Sequence, residues 1–195
     1  MKNILFAALF TIGIIPVQGQ EKIQFSFTGG YEHFKVNHFN KLSGYGLGCE
    51  FKFHFYKRFY MVANFHMGIN NEFMPRTAIQ GIGEVDFSMH WRIREYKTGI
   101  GLGANLINFK KHKIYTQATF GLSKLKQSEP NVYSYRPTIE IGTKNEYYLK
   151  YSTSISSGYD YRISKLICIG MDYTGWWLVG LAYRNTLNAK ISFFF

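Results

Sequence analysis

The sequence is poor in cysteine, proline and acidic residues, and beyond its first residues it has no long apolar run. Two cysteines in 195 residues do not make a disulfide framework, so a stapled mini-domain is excluded. Cys49 and Cys168 are expected to be free thiols. Four prolines, no low-complexity tract and no linker leave room for one domain of ordinary size. Twelve acids stand against 23 Lys and Arg, a net charge of +11. Mean hydropathy is only -0.16, although 46% of the residues are hydrophobic and 18% aromatic, with 15 Tyr and 18 Phe. The apolar residues must therefore be interleaved with polar ones.

The start of the chain is the exception. MKNILFAALFTIGIIPVQGQ has Lys2, an apolar run from Ile4 to Ile15, Pro16, and then the modest residues Val17, Gln18 and Gly19. This reads as a secretory leader over residues 1–19, cut after Gly19, and is too short for a spanning helix. An exported chain rarely meets nucleic acid. Its basic balance points instead to anionic head groups or the phosphates of a surface glycolipid.

Past residue 20 the period is two. Ile23, Phe25, Phe27, Gly29 and Tyr31 share one face, opposite Gln24, Ser26, Thr28, Gly30 and Glu32. Tyr45, Leu47, Cys49, Phe51 and Phe53 oppose Gly44, Gly46, Gly48, Glu50 and Lys52. Phe59, Met61, Ala63, Phe65, Met67 and Ile69 oppose Tyr60, Val62, Asn64, His66 and Gly68. One face is heavily apolar and the other carries glycine and charge in mid-strand. A strand between two different solvents gives that pattern. A soluble sandwich also alternates, but runs of 10–13 residues fit the length needed to cross hydrocarbon at a tilt. There only a closed barrel satisfies the backbone. The expected fold is all-β, a closed antiparallel transmembrane β-barrel over residues 20–195, with 8–10 strands. Turn signals at Arg94-Glu95, Glu129-Pro130-Asn131, Lys144-Asn145, Ser157-Gly158 and Thr174-Gly175 favour ten. The stretch from Trp177 to Phe195 is either one long strand or a hairpin turning near Asn185–Asn188.

The chain ends NAKISFFF, with Ile191, Phe193 and Phe195 on one apolar row. Together with the leader, this resembles bacterial outer-membrane β-barrels, the small OmpX and OmpA-transmembrane class, and by analogy those of Bacteroidota. The resemblance implies an outer-membrane location and a last strand, above all Phe195, that is read by the barrel-assembly machinery. It also implies contact with outer-membrane lipid and lipopolysaccharide.

Polar residues on the inward face set the chemical expectations. Glu50, Lys52, Asn64, Glu84 and Asp86 are expected to share one luminal network, mostly a salt-bridged filling. Ser88 and His90 with Asp86 suggest a hydrolase, but on a strand expected to run toward the periplasm. His38, Ser43 and Asp172 are the only loose candidates for a catalytic set at the outer rim. The outer loops are expected to carry Lys35, Lys41, Arg76, Lys110, Lys111 and Lys113 toward lipopolysaccharide phosphates. GIGLGA at 99–104 opens no helix, and its glycines are expected to make room for large luminal side chains. The scattered histidines lack metal spacing, so neither a metal nor a cofactor is expected. The function expected is structural, adhesive or accessory to envelope transport. An outer-leaflet lipid-modifying enzyme and a narrow channel are the alternatives.

Overall fold

The computed structural model describes residues 22–36, 42–56, 58–75, 77–80, 83–86, 88–134, 140–180 and 182–195. The leader expected at 1–19 lies outside them. Among the described residues ten strands form: β1 (Ile23–Val36), β2 (Leu42–His54), β3 (Phe59–Met74), β4 (Thr77–Gln80), β5 (Gly83–Asp86), β6 (Met89–Phe109), β7 (His112–Ser134), β8 (Glu140–Arg162), β9 (Ile167–Leu178) and β10 (Ala182–Phe194). Eight of them close an antiparallel ring in the order β1-β10-β9-β8-β7-β6-β3-β2. The other two, β4 and β5, pair only with each other. The ring therefore has eight strands, not the ten favoured by the turn signals.

The period of two explains the ring. Odd residues of β1 and β2 face out and even ones face in, and the inward rows are polar. A sheet whose apolar side meets hydrocarbon must shield its polar side and its edges, and closing it into a ring does both. β1 and β10 run in register from Gln24↔Phe194 to Val36↔Ala182. Backbone bonds between Ile23 and Phe195, at 2.9 and 3.3 Å, finish the seam.

Polar pairs in the middle of strands misled the turn count. Arg94 and Glu95 lie inside β6, where Glu95 is fully buried. Lys144-Asn145 and Ser157-Gly158 lie within β8, Glu129-Pro130-Asn131 within β7, and Thr174-Gly175 within β9. Asn185 and Asn188 are mid-strand in β10, and the chain instead reverses beside Gly180, which has φ +74°. Lys110-Lys111 is a true turn, and Lys110 takes a φ of 53°.

The two ends of the ring differ. The turns at 55–58, 110–111 and 163–166 share one end with Ile23 and Phe195. The strand ends at Val36, Leu42, Met74, Met89, Ser134, Glu140, Leu178 and Ala182 share the other, the long-connection end. β6, β7 and β8 have 21, 23 and 23 residues, against roughly 9–11 needed to cross a bilayer at a tilt. The surplus of β6–β8 stands out at the long-connection end. There Pro75, which has no N–H to give the ladder, separates β3 from the tip hairpin β4–β5.

Candidate functional site

The interior is filled in layers. Nearest the chain ends, Ser26 and Ser192 hydrogen-bond at 2.8 Å, and Gln24 donates to Ser192 at 3.1 Å. Above them lies the first charged cluster. Lys52 reaches Glu50 at 3.3 Å, and Gln117 donates to Glu50 at 2.6 Å. Tyr60 donates to Gln117 at 3.1 Å. Lys190 pairs with Asp160 at 2.7 Å. The Lys52 and Lys190 ammonium groups both approach the Tyr115 ring, 3.9 and 4.0 Å from its centroid. A cation near a desolvated ring face is attracted by its quadrupole, so these contacts help to hold both lysines.

The next layer is neutral or singly charged. Asp172 accepts from Asn188 at 2.9 Å and from Thr174 at 3.2 Å. Thr119 and Ser154 bond at 2.6 Å. A void of about 20 Å³ remains between Thr28, Glu50, Asn64, His66 and Asp172, room for about one water molecule.

The second charged cluster lies higher. Arg184 pairs with Glu32 at 2.9 Å and also with Glu95. Glu32 also meets His66 and accepts from Asn70 at 2.9 Å. Lys97 pairs with Glu95 at 3.3 Å and stands 3.8 Å from the Trp176 ring centroid. Glycines make this cluster possible. A Cβ on Gly46 would come within 2.7 Å of His66 Nε2, and one on Gly68 within 2.7 Å of Arg184 Nη1. Over this cluster sits an apolar layer of Leu42, Trp91, Ile93, Leu125 and Leu178, packed against Tyr148.

Of the network expected from the sequence, Glu50 and Lys52 meet as an ion pair, and Asn64 is opposite Glu50 in the β2–β3 register. Glu84 and Asp86 do not join them. Asn64 faces Gly99 of β6, whereas β5, which holds Glu84 and Asp86, is paired with β4 beyond the ring. Asp86 is exposed. Hydrogen bonds from the Ser88 hydroxyl and backbone N–H, the latter at 2.8 Å, hold its carboxyl below the usual carboxylate range. His90, at the start of β6, lies at the long-connection end, and its ring is 5.3 Å from that of Phe73. His54 and Tyr60 lie at the opposite end of the ring. The members missed from sequence, Glu32, Glu95, Lys97, Asp160, Arg184 and Lys190, all sit on inward parity rows. That parity was the available signal.

Of the rim candidates, Ser43 and Asp172 do not come together. His38 lies outside the described residues. Ser43 is on the outward row of β2 beside Asn71 of β3, and Asp172 is buried inside the ring. A wall of sheet separates Ser43 from Asp172. The basic loops also divide. Lys110 and Lys111 form the β6–β7 turn and Lys113 lies at the start of β7, all at the end that holds Ile23 and Phe195. Reading β6 as two strands had reversed their direction. Lys35 is in β1 at the opposite end, and Lys41 and Arg76 lie outside the described residues.

The outer surface carries the apolar rows: Phe27, Leu47, Phe65, Ile100, Leu102, Phe120, Leu122 and Ile155 are exposed, along with many others. Polar inside and apolar outside is the reverse of a water-soluble domain. Among the described residues no helix is long and apolar enough to cross a membrane, which leaves crossing by strands untouched.

No family model matches the chain, and no curated protein matches it in sequence. Solved structures do. Neisserial surface protein A superposes with a TM-score of 0.63 at 9% identity, over 89% of this chain and 97% of that one. Ail, the attachment invasion locus protein of Yersinia pestis, gives 0.52 at 14% identity, over 89% and 99%. Ail in complex with the heparin analogue sucrose octasulfate gives 0.51 at 12% identity, again over 89% and 99%. The chain has the small outer-membrane β-barrel fold. At these identities the likeness concerns architecture. It accounts for the inverted polarity of the barrel, its even strand number and its short turns at one end.

Proposed function

We propose that this protein is an integral outer-membrane β-barrel that works by display, holding an extended sheet above the membrane on a sealed base. The observation that carries the reading is the filled interior. Two ion-pair clusters lie beneath an apolar layer, and the void between them is about 20 Å³. A barrel of eight strands is only wide enough for its side chains to fill. The surplus of β6–β8 and the β4–β5 tip then form the part available to partners, in a structural or adhesive role. With Ser43 outside the ring and Asp172 inside it, the described residues give the lipid-modifying reading no assembled site. The sealed base equally speaks against a channel.

The test has two parts. Unboiled protein should migrate differently from boiled protein on SDS gels and should fractionate with outer membranes. The same heat-modifiable protein, inserted in planar bilayers, should show no stepwise conductance. Discrete conductance steps would overturn the sealed-base reading, and a soluble periplasmic location would overturn the membrane reading.

A further inference from the structure

The outer face of β6 and β7 gathers cations at one height. Because Trp91, Ile93, Glu95, Lys97, Ser123 and Leu125 are buried inside, the even residues of both strands point out. Register sets Arg92 opposite Ser128, Arg94 opposite Lys126, and Tyr96 opposite Lys124. His90, Arg92, Arg94 and Lys126, with Ser128 and Thr143, line an open pocket of about 280 Å³. Like charges directly across a ladder destabilise each other. Among the described residues no carboxylate pairs with Arg94, Lys124 or Lys126 to offset that. Cations spaced in this way suit a phosphate, which guanidinium groups bind through paired hydrogen bonds.

An apolar groove adjoins this pocket. Outward Ile69 of β3 is opposite Arg94, and Asn71 is opposite Arg92. On the other side Leu47 and Tyr45 of β2 are opposite Met67 and Ile69. Tyr45, Leu47, Met67 and Ile69, rimmed by Ser43 and Asn71, line a groove of about 300 Å³. Asn71 belongs to both features, since it lines the groove and accepts a hydrogen bond from Arg92 Nε at 3.0 Å. Directly below lie Phe65, Ile100, Leu102, Phe120 and Leu122, part of the exposed apolar belt. The cations therefore stand where the belt ends, at head-group depth in a bilayer. At that height the described outward residues of β9 and β10 include Tyr173, Trp177 and Tyr183 rather than cations.

We propose that this face binds one phosphorylated acyl lipid of the outer leaflet. Its phosphate would sit on Arg92, Arg94 and Lys126, and one acyl chain would sit in the groove of Leu47, Met67 and Ile69. The proposal rests on the membrane reading given above, but its test does not. Native mass spectrometry of the detergent-folded barrel, mixed with a synthetic diphosphorylated lipid A, reads the site directly. One bound lipid is expected. Loss of each cation should weaken binding about tenfold or more, so the double variant Arg94→Ser/Lys126→Ser should lose the bound peak. Met67→Trp, which fills the groove and leaves the cations, should weaken it too. Each variant is first checked for the gel shift of a folded barrel, and Lys126→Gln alone serves if the double variant fails that check. Retention of the lipid by the cation variants would overturn the proposal. So would equal loss in Lys110→Ser/Lys111→Ser at the opposite end. Displacement of the lipid by millimolar inorganic phosphate would replace the acyl-lipid assignment with a simple phosphate site.

Discussion

Removing the guanidinium of Arg184 tests whether the interior clusters hold the barrel together. Arg184 is fully buried and bridges two acids, Glu32 at 2.9 Å and Glu95. In Arg184→Met both carboxylates stay inside the ring with less compensation. Glu32 keeps His66 and Asn70, and Glu95 keeps Lys97 and Ser123. Breaking a buried ion pair from one side costs about 3–5 kcal/mol. The surviving partners place this variant at the lower end, about 3 kcal/mol, which is roughly a hundredfold in the unfolding equilibrium. Equilibrium unfolding in urea from phospholipid vesicles, followed by tryptophan fluorescence, would measure it. Trp176 touches Lys97 in the same cluster, so the probe sits where the change is made. The triple variant Glu32→Gln/Glu95→Gln/Arg184→Met removes the stranded charges as well as the bridge, and should recover most of the loss because a neutral replacement of a buried ionic group is often tolerated. Two results would refute the reasoning. One is an Arg184→Met variant within about 1 kcal/mol of the parent, the level of an exposed pair. The other is a triple variant as unstable as the single one.

Gly103→Ala should also destabilise, by about 1–3 kcal/mol as an overpacked position, since its Cβ would come within 2.5 Å of the Tyr60 hydroxyl and Tyr60 is itself fully buried. The same urea titration reads it, and an unchanged midpoint would show that Tyr60 can move aside. Cys168 faces inward and is buried, while Cys49 is half-buried on the outward row. A membrane-impermeant maleimide should label neither in folded, vesicle-embedded protein and both after unfolding, with labelling read by mass. Labelling of Cys168 in the folded state would mean that the lower interior is open to water.

How far the fold could be read in the sequence depended on which solvent each strand meets. β1, β2 and β3 lie largely at the level of the apolar belt. Their outward Phe, Leu and Met rows gave the strands, the faces and the Glu50–Asn64 register directly. The upper parts of β6 and β7 have no such row. Arg94, Lys124 and Lys126 point outward there, while Trp91, Ile93 and Leu125 turn inward, so the apolar row changes faces and the strand looks interrupted. That error split β6 at Arg94-Glu95, added strands to the count, and moved Lys110, Lys111 and Lys113 to the wrong end. It also hid Glu95 and Lys97, half of the upper charged cluster. The basic pocket on β6–β7 could not be seen without the register, because its members come from three strands, His90, Arg92 and Arg94 on one, Lys126 and Ser128 on the next, and Thr143 on β8.

The seam between β1 and β10 makes the order of folding unusual. Ser26 and Ser192 are 166 positions apart, yet they hydrogen-bond within a single layer. Hairpins such as β2–β3 close short loops at little entropic cost, but the ring cannot shut until β10 arrives, however early the other strands have paired. Until then β1 offers a bare edge along its whole length, and bare edges recruit other chains. A late, non-local closure of this kind slows folding. The cell must therefore shelter a nearly complete sheet with one open edge, and this interval, more than the finished barrel, is where aggregation would compete.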